Sequence, residues 1–395
     1  MEQGWRWFGE NDPVTLDHVK QAGASGIVTA LHHIPSDQVL PPADIERRKG
    51  LIEAAGLRWA VCESIPTPNA LKRGDAGFRK AVDTWKDSLA NLGRAGVKTV
   101  CYNFMPVVDW TRTDLLYRLP TTGLALRFDM AEFVAYDVFV LKRPQAEGDY
   151  PPAIIEAAKK RLAAMDAAAV ERLEANIIRG LPGGESSYDR QSIFDLIATY
   201  RGIDDEAMRA NLIAFLKEVT PVAEEFGVKL GVHPDDPPFS LFGLPRVVST
   251  AEDVRRLFAA VPSAANGLTL CVGSFGSRRD NDVVALAREF AERVPFTHLR
   301  NVTCEPDGSF FEDEHLEGGA DMVAVIEIFL REERRRMQAG RTDMITLRPD
   351  HGHLLADDIT KKTNPGYSLI GRLKGLAEIR GAMRALDAML NREIH

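Results

Sequence analysis

Eight short apolar runs, mostly separated by amphipathic helical stretches, constrain the fold of this chain more than any other feature. The runs lie at residues 4–9, 26–33, 58–64, 98–105, 228–234, 268–274, 296–302 and 344–350. Apolar residues at helical spacing mark most of the intervals, at 44–55, 76–95, 205–226, 251–260, 280–293 and 320–338. Strands that alternate with helices form parallel sheets, and eight such strands close into a barrel. The sequence therefore predicts an α/β fold, a (β/α)8 TIM barrel.

One interval is much longer than the others, since more than 120 residues separate the fourth run from the fifth. It includes an Ala- and Glu-rich stretch at 152–176 and the Gly-rich segment GLPGGESS at 180–187. We predict a single barrel domain over 1–395 with an inserted helical region at about 107–204. Insertions that follow a barrel strand lie on the catalytic face, so this one could cover the site. It could equally form the interface of a homo-oligomer, and its helical pattern does not separate these two alternatives.

Composition narrows the classes of function. A net charge of -8 argues against a nucleic-acid partner bound through a broad basic surface, because such binding neutralises phosphates. No apolar run reaches the roughly 18 residues that span a bilayer, and the first residues lack the features of a signal peptide. Four cysteines in 395 residues do not make a disulfide framework. We expect a cytoplasmic protein that binds a small molecule, with no membrane and no nucleic-acid partner.

Four metal-binding side chains end the last four apolar runs. They are His233, Cys271, His298 and Asp350. Imidazole, thiolate and carboxylate groups bind divalent transition metals. The carboxyl ends of barrel strands converge on one face, so sequence separations of 38, 27 and 52 residues are no obstacle to a shared site. The pattern predicts one metal centre built from these four residues.

Alternation along the strands adds two arginines to the predicted site. Arg300 shares the strand face of His298, and Arg348 shares that of Asp350. Both guanidinium groups would then point toward the metal, where they suit an anionic substrate. A structural ion pair between Arg348 and Asp350 is the alternative.

Polar residues also end three of the first four runs. His32 and His33 end the second run, Glu63 ends the third and Asn103 ends the fourth. Their position makes all four candidates for contacts with the substrate, and we place His33, Glu63 and Asn103 among the groups that hold its hydroxyls.

Several candidates have a purely structural alternative. A buried cysteine is usually a small apolar residue, and we interpret Cys62, Cys101 and Cys304 in this way. Asp235 and Asp236 suit a turn after His233. The acidic segment around His315, FEDEHLEGG, is either a solvated loop or a segment that folds over the site.

Long and unusual blocks of this sequence resemble one family. The blocks CYNFMPVVDWTRTDL, GVHPDDPP, TLCVGSFG, RPDHG and NPGYSLIGRLKGLAEIRG are similar to those of D-mannonate dehydratase, and the similarity runs nearly end to end. The resemblance implies a xylose-isomerase-like barrel with Mn²⁺ or Fe²⁺ held by His233, Cys271, His298 and Asp350. It also implies loss of water from D-mannonate in hexuronate catabolism, with His351 and Tyr367 transferring the protons. We expect His351 to be the base and Tyr367, a phenol, to be the acid.

Two other functions fit the same pattern. One is a metal-dependent sugar isomerase on the same barrel, because fold alone does not fix function. The other is a non-catalytic protein that binds sugar acids and holds a structural metal, because four protein ligands close a structural zinc site. A cysteine ligand also favours zinc over manganese or iron, so zinc is a competitor at this centre.

Overall fold

Twelve strands occur in the described part of the chain, which in this computed structural model comprises residues 1–178 and 188–392. They are β1 (Glu2–Arg6), β2 (Gly26–Thr29), β3 (Arg58–Glu63), β4 (Thr99–Tyr102), β5 (Asp114–Arg118), β6 (Leu124–Phe128), β7 (Lys229–Val232), β8 (Asn266–Cys271), β9 (Phe296–His298), β10 (Asn301–Cys304), β11 (Phe310–Asp313) and β12 (Thr346–Arg348). Eight of them form a closed parallel barrel in the order β1-β2-β3-β4-β7-β8-β9-β12. Each apolar run of the sequence overlaps one barrel strand, so the predicted (β/α)8 barrel is confirmed.

Helices fill the intervals between the barrel strands. They are α1 (Leu16–Gln21), α2 (Pro42–Ala54), α3 (Asn69–Arg73), α4 (Phe78–Arg94), α5 (Met130–Val134), α6 (Pro152–Ala163), α7 (Ala167–Ile178), α8 (Arg190–Ala198), α9 (Asp205–Phe226), α10 (Ala251–Ala260), α11 (Val272–Gly276), α12 (Val283–Phe290), α13 (Met322–Gln338) and α14 (Leu369–Arg392). Both ends of the long helix α9 are capped: the Asp204 side chain accepts a hydrogen bond from the amide of Ala207 where the helix begins, and Gly227 ends it at φ +61°. Among the described helices, none is both long and apolar enough to cross a bilayer.

A small apolar cluster fills the inside of the barrel. Val28, Ala60, Val61, Cys101 and Phe296 pack together, and they come from strands β2, β3, β4 and β9. Strands β2 and β9 are not neighbours in the barrel, so these side chains can meet only across its interior. Cys101 is therefore a packing residue, as expected. The metal-binding candidates lie at the carboxyl ends of the strands.

A second, four-stranded antiparallel sheet lies outside the barrel, in the order β10-β11-β6-β5. Strand β11 pairs with β6 through Phe310 and Phe128, whose rings stack at 5.5 Å. The predicted helical insertion contains α5 to α8, but it also contributes the hairpin β5–β6 to this sheet. Sequence analysis missed the hairpin because β5, DLLYR, is half exposed and carries no apolar run. The Gly-rich segment 180–187 lies outside the described residues.

Candidate metal centre and active site

Strand register brings three of the four predicted metal ligands together. Cys271 at the end of β8 pairs directly with His298 at the end of β9. His233 follows β7, the other neighbour of β8. All three side chains are buried, and their ligand atoms lie within 4.8 Å of one another. They form the candidate metal centre.

The two imidazole rings present their nitrogens to each other. His233 Nδ1 lies 2.6 Å from the carbonyl oxygen of Pro234, so it carries a proton and leaves Nε2 for the centre. That Nε2 lies 3.1 Å from His298 Nδ1. On the far side of the ring, His298 Nε2 is buried with no hydrogen-bond partner among the described residues, 3.6 Å from the carboxylate of Glu63. A proton on this Nε2 would leave His298 Nδ1 as a second ligand, with Glu63 as its outer carboxylate, which is the arrangement of a metal-bound histidine.

Cys271 has the environment of a thiolate. Burial alone would raise its pKa, but the guanidinium of Arg300 and the ring of His233 hold the pKa below its ordinary value. Conversely, although burial opposes it, contact with Cys271 raises the pKa of His233 to about 9. A metal ion must therefore displace a proton from this pair, as cation binding to such groups requires. The side chains of the three residues fit a divalent transition metal.

Asp350 lies next to this group of three. Its Oδ2 is 3.9 Å from both Cys271 Sγ and His298 Nδ1. The residue follows β12 with φ at +66°, a conformation rare for residues other than glycine. Burial opposes ionisation, but Arg348 and other cationic neighbours hold the pKa of Asp350 well below its usual range. A charged carboxylate is thus available as a fourth ligand.

The two predicted arginines lie at the site, but both are already paired. Arg348 forms close ion pairs with Asp350 and Glu63. Arg300 contacts Asp350 through Nε at 3.0 Å, and its two terminal nitrogens pair with other carboxylates. Both side chains are only 2% exposed. A buried guanidinium needs such partners, so these two arginines hold carboxylates of the site, and their contact with an anionic substrate stays a prediction.

His351 and Tyr367 are also at the site. Their rings meet edge to face with centroids 5.0 Å apart. Tyr367 follows Gly366, at φ +78°, where a Cβ atom would lie about 3.0 Å from the His351 ring. Burial raises the pKa of Tyr367 to about 12. The phenol therefore keeps its proton at neutral pH, as an acid must.

Of the three candidates on the early strands, the structure does not bring His33 to the site. Its side chain is 48% exposed and contacts Asp44 at 3.2 Å. The cause is that β2 ends at Thr29, so residue 33 lies in a turn rather than on a strand. His32 instead lies against Phe8, at 5.7 Å between ring centroids, and Phe8 packs on Tyr367.

Glu63 and Asn103 lie where the sequence predicts. Glu63 ends β3 and connects Arg348, at 2.9 Å, with Arg6, at 3.0 Å. Asn103 directly follows Tyr102, whose carbonyl oxygen accepts a hydrogen bond from the amide of His233. It therefore lies beside the end of β7, which His233, a candidate metal ligand, directly follows.

Sequence analysis missed several residues of the site. Arg112, from the insertion, is fully buried and pairs with both Asp236 and Glu312, each at 2.9 Å. Asp236 also accepts from Arg300. Trp110 meets the His351 ring edge to face at 6.1 Å. Asp236 belongs to the segment that the sequence analysis interpreted as a turn. Glu312 belongs to the acidic segment FEDEHLEGG, and its side chain reaches the site, as one of the two alternatives for that segment expected.

Fold and site together define a barrel enzyme with a candidate divalent metal centre beside a histidine and tyrosine suited to proton transfer. The sequence model of the family described as D-mannonate dehydratase (UxuA) matches residues 1–393. The chain belongs to this family, whose members are hydro-lyases.

Individual relatives are similar to this chain along nearly its whole length. The chain is 63% identical to mannonate dehydratase 2 of Agrobacterium fabrum over 393 residues, which covers 100% of this chain and 99% of that one. It is 54% identical to the mannonate dehydratase of Saccharophagus degradans, with 98% of each chain covered. Among solved structures, the mannonate dehydratase of Streptococcus suis superposes with a TM-score of 0.77 at 33% identity, covering 99% of this chain and 95% of that one.

Proposed function

We propose that this enzyme removes water from D-mannonate to give 2-dehydro-3-deoxy-D-gluconate, with Mn²⁺ or Fe²⁺ as its metal. The observation that carries the proposal is the position of His351, directly beside Asp350 and in ring contact with Tyr367. A base and an acid thus lie next to the candidate ligands. Elimination needs both groups, because a proton leaves C2 and a hydroxyl leaves C3.

The metal would be held by His233, Cys271, His298 and Asp350. A divalent ion bound there withdraws charge from the substrate carboxylate, which makes the C2 proton more acidic. Mn²⁺ and Fe²⁺ accept additional oxygen ligands, so four protein ligands still leave room for substrate. Because a thiolate ligand is lost on oxidation, we propose that the enzyme works in a reducing compartment, such as the cytoplasm.

The charges of the site suit an anionic substrate. Four buried arginines, Arg6, Arg112, Arg300 and Arg348, are matched by four carboxylates, Glu63, Asp236, Glu312 and Asp350. The Cys271 thiolate adds one further negative charge. Neutrality then requires one divalent cation together with one monoanion, and a sugar acid is a monoanion. A neutral aldose would leave a buried positive charge uncompensated, which is costly.

The proton transfers are assigned to two residues. His351 Nδ1 contacts a carboxylate, so Nε2 is the free nitrogen that takes the C2 proton. Tyr367 is protonated at neutral pH and donates to the departing C3 hydroxyl. Phe8 packs edge to face against the Tyr367 ring at 4.8 Å and holds its orientation. Asn103, Glu63 and, in place of His33, His32 are proposed to contact the sugar hydroxyls.

The test is a substrate panel with the metal-loaded protein. D-mannonate and its C2 epimer would be compared with the corresponding aldoses, and the 2-keto-3-deoxy acid product would be followed. We expect product from D-mannonate and none from the aldoses. We also expect Tyr367→Phe to lower kcat by about 100-fold or more, as is usual for loss of a general acid. Ketose formation from an aldose would favour the isomerase. Tight aldonate binding without turnover would favour the non-catalytic alternative.

A further inference from the structure

Glu312 belongs to the second sheet but reaches the barrel mouth. It lies on β11, where Val302 of β10 pairs with it, next to the residues that pair with β6. Its side chain is 4% exposed. The two carboxylate oxygens lie 2.8 and 2.9 Å from His351 Nδ1. The sheet outside the barrel therefore provides the hydrogen-bond partner of the proposed base.

The contacts of this carboxylate determine which nitrogen of His351 carries the proton. Arg112 donates to Glu312 Oε1 at 2.9 Å, and Arg300 donates to the same oxygen at 2.7 Å. Two guanidinium groups keep the carboxylate ionised, and an ionised carboxylate only accepts hydrogen bonds. Nδ1 of His351 must therefore carry a hydrogen, which leaves the lone pair of the neutral ring on Nε2. That nitrogen lies on the side of the metal ligands, 3.8 Å from Asp350 Oδ1.

Aromatic rings limit the remaining freedom of His351. Trp110 and Tyr367 each meet its ring edge to face at an interplanar angle of 82°. They restrict rotation of the ring but do not select between its two tautomers. Selection requires a hydrogen-bond partner, and Glu312 is that partner.

We infer that Glu312 is a positioning residue that holds His351 in the tautomer with Nε2 free to accept the C2 proton. This inference rests on the proposed role of His351 as the base. It gives the second sheet a direct part in the reaction. A carboxylate that orients a histidine base also stabilises the imidazolium formed when the proton arrives.

Asp236 provides a matched control within the same charge network. Like Glu312 it is 4% exposed and accepts hydrogen bonds from Arg112 and Arg300. Within the described part of the chain, Asp236 does not contact the His351 ring. Removing the charge of either residue disturbs the same arginines, but only a change at Glu312 affects the proposed base directly.

The first test compares Glu312→Gln, Glu312→Asp and Asp236→Asn for D-mannonate turnover, with metal content measured in each. We expect Glu312→Gln to lower kcat by about 100-fold or more with KM changed less than about threefold. Glu312→Asp should recover part of that loss, and Asp236→Asn should lose about tenfold or less. Equal losses in kcat for Glu312→Gln and Asp236→Asn would overturn the inference and assign Glu312 to the charge network alone.

A second measurement is made on the wild-type protein and does not depend on activity. Nitrogen-15 spectra of histidine-labelled wild-type protein loaded with diamagnetic zinc would identify the His351 tautomer, with signals assigned by their loss in His351→Asn. We expect a proton on Nδ1, and a neutral ring protonated only on Nε2 would overturn the inference. Absence of wild-type turnover would instead contradict the proposed function, and the spectrum would still decide the role of Glu312.

Discussion

The barrel rim and the second sheet approach the same site by different means. At the rim, parallel neighbours in register place His233, Cys271 and His298 side by side, with Asp350 one strand further on. The second sheet reaches the site through the side chain of Glu312, on β11, and Arg112, just before β5, pairs with it. Strand β11 pairs with β6, which is far from it in sequence. If the proposed roles hold, metal binding depends on the rim, and the orientation of the base depends on the second sheet. Each can therefore be damaged without the other.

The largest expected effect is that of Cys271→Ala at the barrel rim, which should impair metal binding. Loss of a thiolate ligand should abolish tight metal binding and lower turnover by roughly 1,000-fold or more, since metal-ligand loss removes most charge stabilisation at the reacting carboxylate. Metal analysis and steady-state kinetics would measure both effects. The control is Cys101→Ala, which removes a buried thiol from the barrel interior. Full metal content in Cys271→Ala would show that the rim does not bind the ion as described.

A smaller effect is expected from Arg112→Met, which changes the charge network beside Glu312. It should slow proton transfer and leave metal binding intact. This change leaves Asp236 and Glu312 without one of their buried partners. We expect kcat to fall by about 10- to 100-fold and the free energy of unfolding by roughly 3 kcal/mol, with metal content kept.

The control for that change is Arg127→Met. Arg127 lies on β6 of the second sheet and pairs with Glu305, which is 34% exposed, and neither residue is among the site contacts given above. Similar losses in kcat for the two variants would show that general damage to the sheet, rather than the Arg112 contacts, limits catalysis.

A third prediction concerns stability in acid. Burial opposes ionisation of Glu312, but His351, Arg300 and Arg112 lower its pKa from 4.5 to about 2. Because the pKa is lowered on folding, the stabilisation is fully present above the unfolded value and is lost as the pH falls from 4.5 toward 2. The wild type should therefore lose roughly 3 kcal/mol more than Glu312→Gln across this window. Urea unfolding at pH 7, 4, 3 and 2 measures the difference, and parallel pH curves for the two proteins would contradict the prediction.

The smallest effect should come from the early strands. His33→Ala is expected to change kcat and KM by less than about twofold, because the side chain is 48% exposed and contacts only Asp44 among the described polar groups. His32→Ala should change KM more, since His32 lies against Phe8 beside Tyr367. The reverse order of effects would restore His33 as the substrate contact.

The comparison of regions also explains which parts could be predicted from the sequence. Each candidate ligand at the rim ends an apolar run, so a local pattern locates both the strand and the candidate residue. The contacts between Glu312 and Arg112 depend on the pairing of residue 128 with residue 310, and no local sequence pattern predicts a pairing over that distance. The structure does not bring His33 to the site for another reason, because β2 ends at Thr29 and strand alternation does not continue to residue 33. The resemblance supplied His351 and Tyr367, and no spacing rule would have selected them.

The most direct test of the central claim is turnover of D-mannonate by metal-stripped protein to which Mn²⁺, Fe²⁺ or Zn²⁺ is restored, with Cys271→Ala measured alongside. The account predicts the 2-keto-3-deoxy acid with Mn²⁺ or Fe²⁺, none without metal and none from the variant. Equal turnover by the stripped protein, or no product with any metal from folded wild-type protein, would contradict it.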